Sequence, residues 1–238
     1  MLAMADFQDP MFLAVLVGWI MTVILHEFAH GVVAYWGGDW TIRERGGLTL
    51  NPFQYIDPIF SLLLPAIFLL VGGIPLPGGV TYVRRDLLRS RLWDSAVSLA
   101  GPGMNLIIFL ICAIVLHPKV GWADYSIPFS QWTGGPVFLG ALCVLQMVAV
   151  LFNLVPVPPL DGFQAISPYL DPQLREKLST PPFSIAILAG YFVLISSSHS
   201  VVQVMYDITD SALQLLGYTD WDVNYITYAF NRAVFGRF

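Results

Sequence analysis

Long apolar stretches with almost no charge constrain this chain more than any other feature. Five of them approach or exceed the roughly 20 residues that a helix needs to cross a bilayer. They are residues 11–25 (extended to 36), 58–83, 95–116, 136–160 and 183–206. Only 11% of the residues are charged, against roughly 25% in an ordinary soluble domain. The sequence therefore predicts an all-α polytopic membrane protein with about five to six hydrophobic segments.

The second stretch is a poor uninterrupted helix. It contains four prolines and two Gly-Gly pairs, at Pro58, Pro65, Pro75, Pro77, 72–73 and 78–79. If every stretch spanned fully, the basic loops at 43–45 and 84–91 would lie on opposite faces, although short cytoplasmic loops are enriched in Lys and Arg. Irregular backbone is tolerated at membrane depth where protein or a water-filled cavity covers it. We therefore expect 58–79 to be re-entrant, with a full span as the alternative.

The rest of the sequence predicts how the chain is divided into a membrane domain and a tail. A membrane-embedded domain is expected over residues 1–206, with a C-terminal tail over 207–238 in which 223–235 is typical of an interfacial amphipathic helix. Two runs bounded by Gly and Pro, 46–50 and 79–83, contain β-branched and aromatic residues and predict short strands beside the polar cluster described next.

One polar pattern interrupts the first stretch. His26, Glu27 and His30 form HExxH in an otherwise apolar segment. Residues at i and i+4 share a helix face, so both imidazoles can reach one metal ion while Glu27 lies beside it. A carboxylate and two imidazoles at membrane depth are costly unless they are partnered. The pattern therefore favours a metal site, with Glu27 as general base, over a purely structural polar cluster.

A catalytic zinc usually has three protein ligands and one open position, so a third ligand should come from another segment. His117 and His199 lie near the outer helix ends in the expected topology. Asp161 is better placed, because it follows the proline-rich inner end of the fourth stretch, although an ordinary Asp-Gly turn is the alternative there. The predicted metal ligands are therefore His26, His30 and Asp161.

HEFAH in one helix and NLVPVPPLDG in a later one resemble the paired motifs of the site-2 protease family. GGLTLNPFQYID at 46–57 and SLAGPGMN at 98–105 are similar to further family segments, so the resemblance covers most of residues 20–165. It implies an intramembrane zinc metalloendopeptidase, which cleaves transmembrane segments with zinc-activated water and Glu27 as general base. Many members read Asp-Gly-Gly before a basic residue, whereas this chain departs with DGFQ at 161–164.

Two asparagines are interpreted with this resemblance in view. It implies a substrate contact for Asn153, while a helix-packing hydrogen bond is the alternative. Asn105, in a run of small residues, is expected to support close helix packing. Cys112 and Cys143 lie in apolar segments without a CxxC pattern and are expected to be buried hydrophobes.

The expected setting is a multi-pass protein of the bacterial inner membrane with its active site towards the cytoplasm. Its partners would be the lipid bilayer and a membrane-protein substrate. The resemblance implies a compact form without a PDZ or CBS domain. The net charge of −5 is spread over short loops without a basic block, which excludes nucleic acid.

Three other functions are weighed against the protease. A metal transporter would be expected to carry more ionisable residues along its later segments than this chain does. A di-iron membrane oxygenase needs more than the four histidines present. A proteolytically inactive relative that binds or escorts membrane proteins remains an alternative.

Overall fold

We analysed a computed structural model that describes residues 9–57, 61 and 78–236. The helices in this part of the chain are α1 Pro10–Gly37, α2 Thr41–Glu44, α3 Arg91–Leu116, α4 Gly135–Leu154, α5 Asp161–Ile166, α6 Pro172–Ser179, α7 Phe183–Ser197, α8 His199–Leu215 and α9 Asp220–Phe235. Short 3-10 turns lie between them at Pro52–Gln54, Arg85–Leu87, Pro118–Val120, Phe129–Gln131 and Ser167–Tyr169. The predicted all-α fold is confirmed for these residues.

Three of these helices, α1, α3 and α4, are long and apolar enough to cross a membrane. A fourth candidate combines α6 and α7, which are bent by 68° at the break between them. The described residues thus hold three or four candidate spans, so the predicted count of five to six is not confirmed. The re-entrant segment expected at 58–79 lies largely outside them.

The fifth predicted stretch does not form one helix. Ser198 has an extended backbone and separates α7 from α8, and its side chain accepts a hydrogen bond from the Val201 N–H at the start of α8. Serine hydroxyls compete for backbone groups in this way and favour helix starts over helix interiors. At 15 residues α7 is only about 22 Å long, which is shorter than the roughly 30 Å hydrocarbon core.

Four helices, α1, α3, α4 and α9, enclose the main hydrophobic core. Close approach of α9 depends on Gly140 in α4, because a Cβ added there would lie 2.7 Å from the Ala229 Cβ. The Tyr225 hydroxyl then donates to the Ile127 carbonyl at 2.6 Å. The helix predicted at 223–235 therefore begins three residues earlier and packs on the core, while its interfacial position stays a prediction. Residue 207, the expected start of the tail, lies inside α8.

The short strands predicted at 46–50 and 79–83 do not form. Gly46 has a φ of 79°, and the 46–50 run closes into turns in which the Gly47 N–H donates to the Ile42 carbonyl at 2.9 Å. Residues 79–83 lie in neither helix nor strand, and the Val80 N–H donates to the Tyr55 carbonyl at 3.0 Å. No strand ladder forms around that bond among the described residues.

A buried carboxylate ties this segment to the end of α1. Asp39, which is 0% exposed, accepts hydrogen bonds from the Arg45 guanidinium and from the Arg84 N–H, both at 2.8 Å. Arg45 also donates to the Tyr82 carbonyl at 2.7 Å. Further along the segment, the Thr81 hydroxyl donates to the carbonyl of a residue inside α1 at 3.0 Å. We call residues 78–84 the tethered segment.

Replacing Asp39 with alanine is expected to lower the melting temperature in detergent by about 5–10 °C. The change leaves Arg45 and the Arg84 N–H without their buried acceptor, which costs about 2–3 kcal/mol, and each kcal/mol shifts the melting temperature by about 2–4 °C in a chain of this size. Asp86→Ala is the matched control, because Asp86 is paired with Arg84 at an exposed position where an ion pair contributes little. Equal effects of the two substitutions would contradict this account.

Candidate metal centre

The helix that carries the HExxH pattern is well defined at both ends. Asp9 caps α1 by accepting a hydrogen bond from the Met11 N–H at 2.8 Å, and Gly38 ends it with a φ of 124°. His26 and His30 lie one turn apart inside this helix, and their Nε2 atoms are 3.1 Å apart. Both residues are buried, as is Glu27.

Hydrogen bonds to α3 fix the orientation of both imidazole rings. The His26 Nδ1 lies 2.6 Å from the Asn105 Oδ1, and the His30 Nδ1 lies 2.6 Å from the Val97 carbonyl oxygen. Both oxygens are acceptors, so each Nδ1 donates a proton. A neutral imidazole has a single N–H, so in their neutral forms both rings present a lone pair on Nε2 to the space between them.

The Asp161 carboxylate completes the cluster from the first residue of α5. Its Oδ2 is 3.2 Å from the His26 Nε2, and its Oδ1 is 3.4 Å from the His30 Nε2. This position requires Gly162, since a Cβ there would overlap the Leu154 carbonyl at the end of α4. The predicted ligands thus come together from two distant parts of the chain.

The donor set fits a zinc ion. Zinc–nitrogen and zinc–oxygen bonds of about 2.0–2.1 Å place tetrahedral ligands about 3.3 Å apart. The two Nε2 atoms are 3.1 Å apart, and each lies 3.2 or 3.4 Å from a different oxygen of the Asp161 carboxylate. The Asp161 Oδ2 is buried and has no hydrogen-bond partner among the described residues. Two lone pairs and a buried carboxylate that face one another suit a cation between them, because a buried polar atom without a partner is costly.

Gly101 in α3 keeps the space in front of the predicted metal ligands open. A Cβ added at Gly101 would overlap the Nε2 atoms of both His26 and His30. Any larger residue would fill the space into which the two lone pairs point. Gly101 is therefore part of the site although it contributes no ligand atom.

The wall beside Glu27 is formed by the tethered segment and by Tyr55. A Cβ added at Gly79 would lie 2.9 Å from the Glu27 Cγ, and the Thr81 hydroxyl donates to the Glu27 carbonyl at 3.0 Å. Burial, together with the nearby Glu27 charge, raises the pKa of Tyr55 to about 12. Tyr55 therefore stays neutral at physiological pH, and its hydroxyl donates to the Thr49 carbonyl at 2.5 Å.

The two asparagines have different hydrogen-bond partners in the structure. The Asn153 amide donates to the Ala149 carbonyl of its own helix at 3.0 Å, so a substrate contact stays a prediction. Asn105 holds a predicted ligand in place, a role that sequence reasoning missed. A signal was present: residues 97, 101 and 105 are spaced by four, which places them on one face of a helix.

The structure also bears on the other residues for which the sequence made a prediction. Cys112 and Cys143 are free and buried, as expected. The His117 Nδ1 accepts a hydrogen bond from the Lys119 N–H at 3.1 Å, beyond the C-terminal end of α3, and His117 is not part of the metal cluster. The side chain of His199 lies outside the part of the chain that the structure describes.

Comparison with curated proteins finds bacterial relatives. The chain is 39% identical over 168 residues to "Putative zinc metalloprotease Rip2" of Mycolicibacterium smegmatis, which covers 71% of this chain and 61% of that protein. It is 36% identical over 183 residues to the protein of the same name in Mycobacterium tuberculosis H37Rv, covering 76% and 67%. It is 34% identical over 199 residues to "Putative zinc metalloprotease YwhC" of Bacillus subtilis, covering 82% and 87%.

The chain spans 61% of the length of the M. smegmatis relative and most of the B. subtilis one. No family model and no solved structure matches it. The identities exceed 30% over at least two thirds of two of these relatives, and the paired motifs HEFAH and NLVPVPPLDG lie in the elements that form the metal cluster. The chain therefore belongs to the site-2 protease family.

Proposed function

We propose that this protein is an intramembrane zinc metalloendopeptidase that hydrolyses peptide bonds within transmembrane segments of membrane proteins. One observation carries the proposal. The Nε2 atoms of His26 and His30 and the Asp161 carboxylate are separated by 3.1–3.4 Å. The two histidines lie in a helix apolar enough to span a membrane, and Asp161 begins a neighbouring helix. The names of the curated relatives support zinc as the metal and proteolysis as the activity.

Each side chain has a distinct task in this proposal. His26, His30 and Asp161 hold Zn²⁺, which supplies a Lewis acid that polarises a carbonyl and makes water a better nucleophile. Glu27 takes a proton from the attacking water and delivers it to the amine that leaves. The Asn105 amide oxygen and the Val97 carbonyl keep both imidazoles in the tautomer that presents Nε2.

The tethered segment provides a place for the substrate backbone. A helical substrate hides its carbonyls in its own hydrogen bonds, so it has to unwind before hydrolysis. An unwound chain can pair through its main-chain groups with backbone that is not already part of a helix, and residues 78–83 lie in neither helix nor strand beside Glu27. We assign this segment the role of pairing with the unwound substrate.

We place the site towards the cytoplasm of the bacterial inner membrane. Basic residues cluster where α1 ends and α3 begins, at Arg43, Arg45, Arg84, Arg85, Arg89 and Arg91, and an Arg175–Asp94 contact of 3.6 Å brings α6 to the same place. Short cytoplasmic loops are enriched in such residues. The partners in this proposal are the lipid bilayer and a membrane-protein substrate.

Metal analysis combined with a cleavage assay tests the proposal. The purified chain is expected to hold about one zinc ion and to cleave a generic transmembrane substrate, and a zinc chelator should stop the cleavage. His30→Ala should lose both metal and cleavage, whereas the matched variant His117→Ala should retain both. Absence of zinc in the unaltered chain would overturn the proposal, and zinc without cleavage would favour a relative that binds membrane proteins without cutting them.

Asn105→Ala is expected to weaken zinc binding by about 10- to 100-fold, because it removes the acceptor that orients His26. A chelator competition on the purified protein measures this affinity. Asn153→Ala is the matched control, since its amide bonds within its own helix, and it should keep the affinity of the unaltered chain. Equal affinities in the two variants would mean that the Asn105 contact does not support the site.

A further inference from the structure

A second polar site lies where α3, α5 and α6 meet, apart from the metal ligands. A cavity of about 720 Å³ opens there. Three of its lining residues are arginines that come from three different parts of the fold: Arg85 from a 3-10 turn, Arg91 from the start of α3, and Arg175 from α6.

A shared carboxylate lies beside two of these arginines. Asp94 is buried in the first turn of α3, where one of its oxygens accepts a hydrogen bond from the Arg85 guanidinium. Its second oxygen lies 3.6 Å from the Arg175 Nη2. One carboxylate between two guanidinium groups leaves an excess of positive charge. With Arg91 and Glu176 included, the lining carries three positive and two negative side chains.

Three guanidinium groups around one cavity suit a phosphate. Their planar N–H groups match the oxygens of phosphate and bind it more strongly than neutral donors do. The cavity also has polar lining residues at Ser90 and Ser179 and apolar ones at Leu88 and Leu170. A ligand with a phosphate and an adjoining apolar part would fit both kinds of lining.

The location indicates which phosphate ligand is available. The cavity lies at the N-terminal end of α3, where a candidate membrane span begins, and basic pockets between helices at such a boundary bind phospholipid headgroups. We propose that this cavity binds the phosphate headgroup of an anionic phospholipid. Gln164 lines the cavity and belongs to α5, so the bound headgroup lies next to the helix that begins at Asp161.

Native mass spectrometry of the full chain in detergent tests this site with added phosphatidylglycerol or phosphatidylcholine. Phosphatidylglycerol should bind about tenfold more tightly. The double variant Arg91→Gln/Arg175→Gln should lose that preference, while Arg85 stays in place to pair with the buried Asp94. Arg43→Gln/Arg89→Gln is the matched control, because it removes the same charge at the same end of the molecule from residues outside the cavity lining.

Loss of the preference in the cavity variant alone supports the site. Equal losses in both double variants would assign binding to general surface charge and overturn it, as would an unchanged preference in the cavity variant. Competition by glycerophosphoglycerol or inorganic phosphate at the same concentration as the lipid would overturn the lipid as the ligand. If the double variant elutes as an aggregate, Arg91→Gln alone gives the same test, because Arg91 is exposed. Binding is measured without cleavage, so the result does not depend on the proposed protease activity.

Discussion

Glu27→Gln is expected to reduce peptide cleavage by at least about 10²- to 10⁴-fold, while zinc remains bound at the stoichiometry of the unaltered chain. The reason is that the amide has almost the same shape as the carboxylate but cannot accept the proton of the attacking water. Metal binding is preserved because the three predicted ligands and the partners of the two imidazoles are unchanged.

The measurement compares cleavage of a transmembrane substrate and zinc content in the same preparations. Glu44→Gln makes the same chemical change at an exposed position in α2 and should leave both quantities unaltered. A Glu27→Gln protein that still cleaved at a similar rate would remove Glu27 as the base. Loss of zinc in that variant would instead assign the carboxylate a part in holding the metal.

Gly101→Ala is expected to weaken zinc binding by about 100-fold or more, because the added methyl group overlaps the Nε2 atoms of His26 and His30 and overpacking a rigid interior forces its neighbours to shift. Gly101 precedes Pro102 inside α3, where an added Cβ also crowds the proline ring. Thermal unfolding of the same variant therefore has to separate damage to the site from general unfolding.

Gly103 in the same helix provides the matched control. A Cβ added there meets nothing within 4 Å, so Gly103→Ala should keep full zinc affinity. Chelator competition and thermal unfolding on both variants give the comparison. Equal zinc affinities in the two alanine variants would show that α3 can move away from α1 without loss of the site.

The part of the site that follows from local spacing was predictable. HExxH in a helix places His26 and His30 on one face whatever the rest of the chain does. The cost of polar groups at membrane depth indicated that they had a partner. Asp161 followed from the need for a third ligand and from the prolines before it, and the structure brings it within 3.4 Å of both rings.

The parts that depend on packing were not predictable. A spacing of four residues places Gly101 and Asn105 on one face of α3, but it does not say which helix that face meets. The residue types in 46–50 and 79–83 suggested strands, yet strand preference depends strongly on neighbours, and among the described residues neither run forms a strand ladder. Overall apolarity also joined 183–206 into one segment, although Ser198 starts a new helix within it.

The tethered segment limits how a substrate could reach the metal centre in the proposed function. It is joined to α1 near its middle, through Thr81 and the Glu27 carbonyl, and near its end, through Arg84 and the buried Asp39. Swinging it outward would break the hydrogen bonds that join it to the Glu27 carbonyl, to the buried Asp39 and to Arg45, so the segment and α1 are expected to move as one rigid body. In the proposed protease, a lateral gate on this side of the metal centre is therefore disfavoured, and the hinge that would admit a transmembrane helix is expected among elements without such ties to α1.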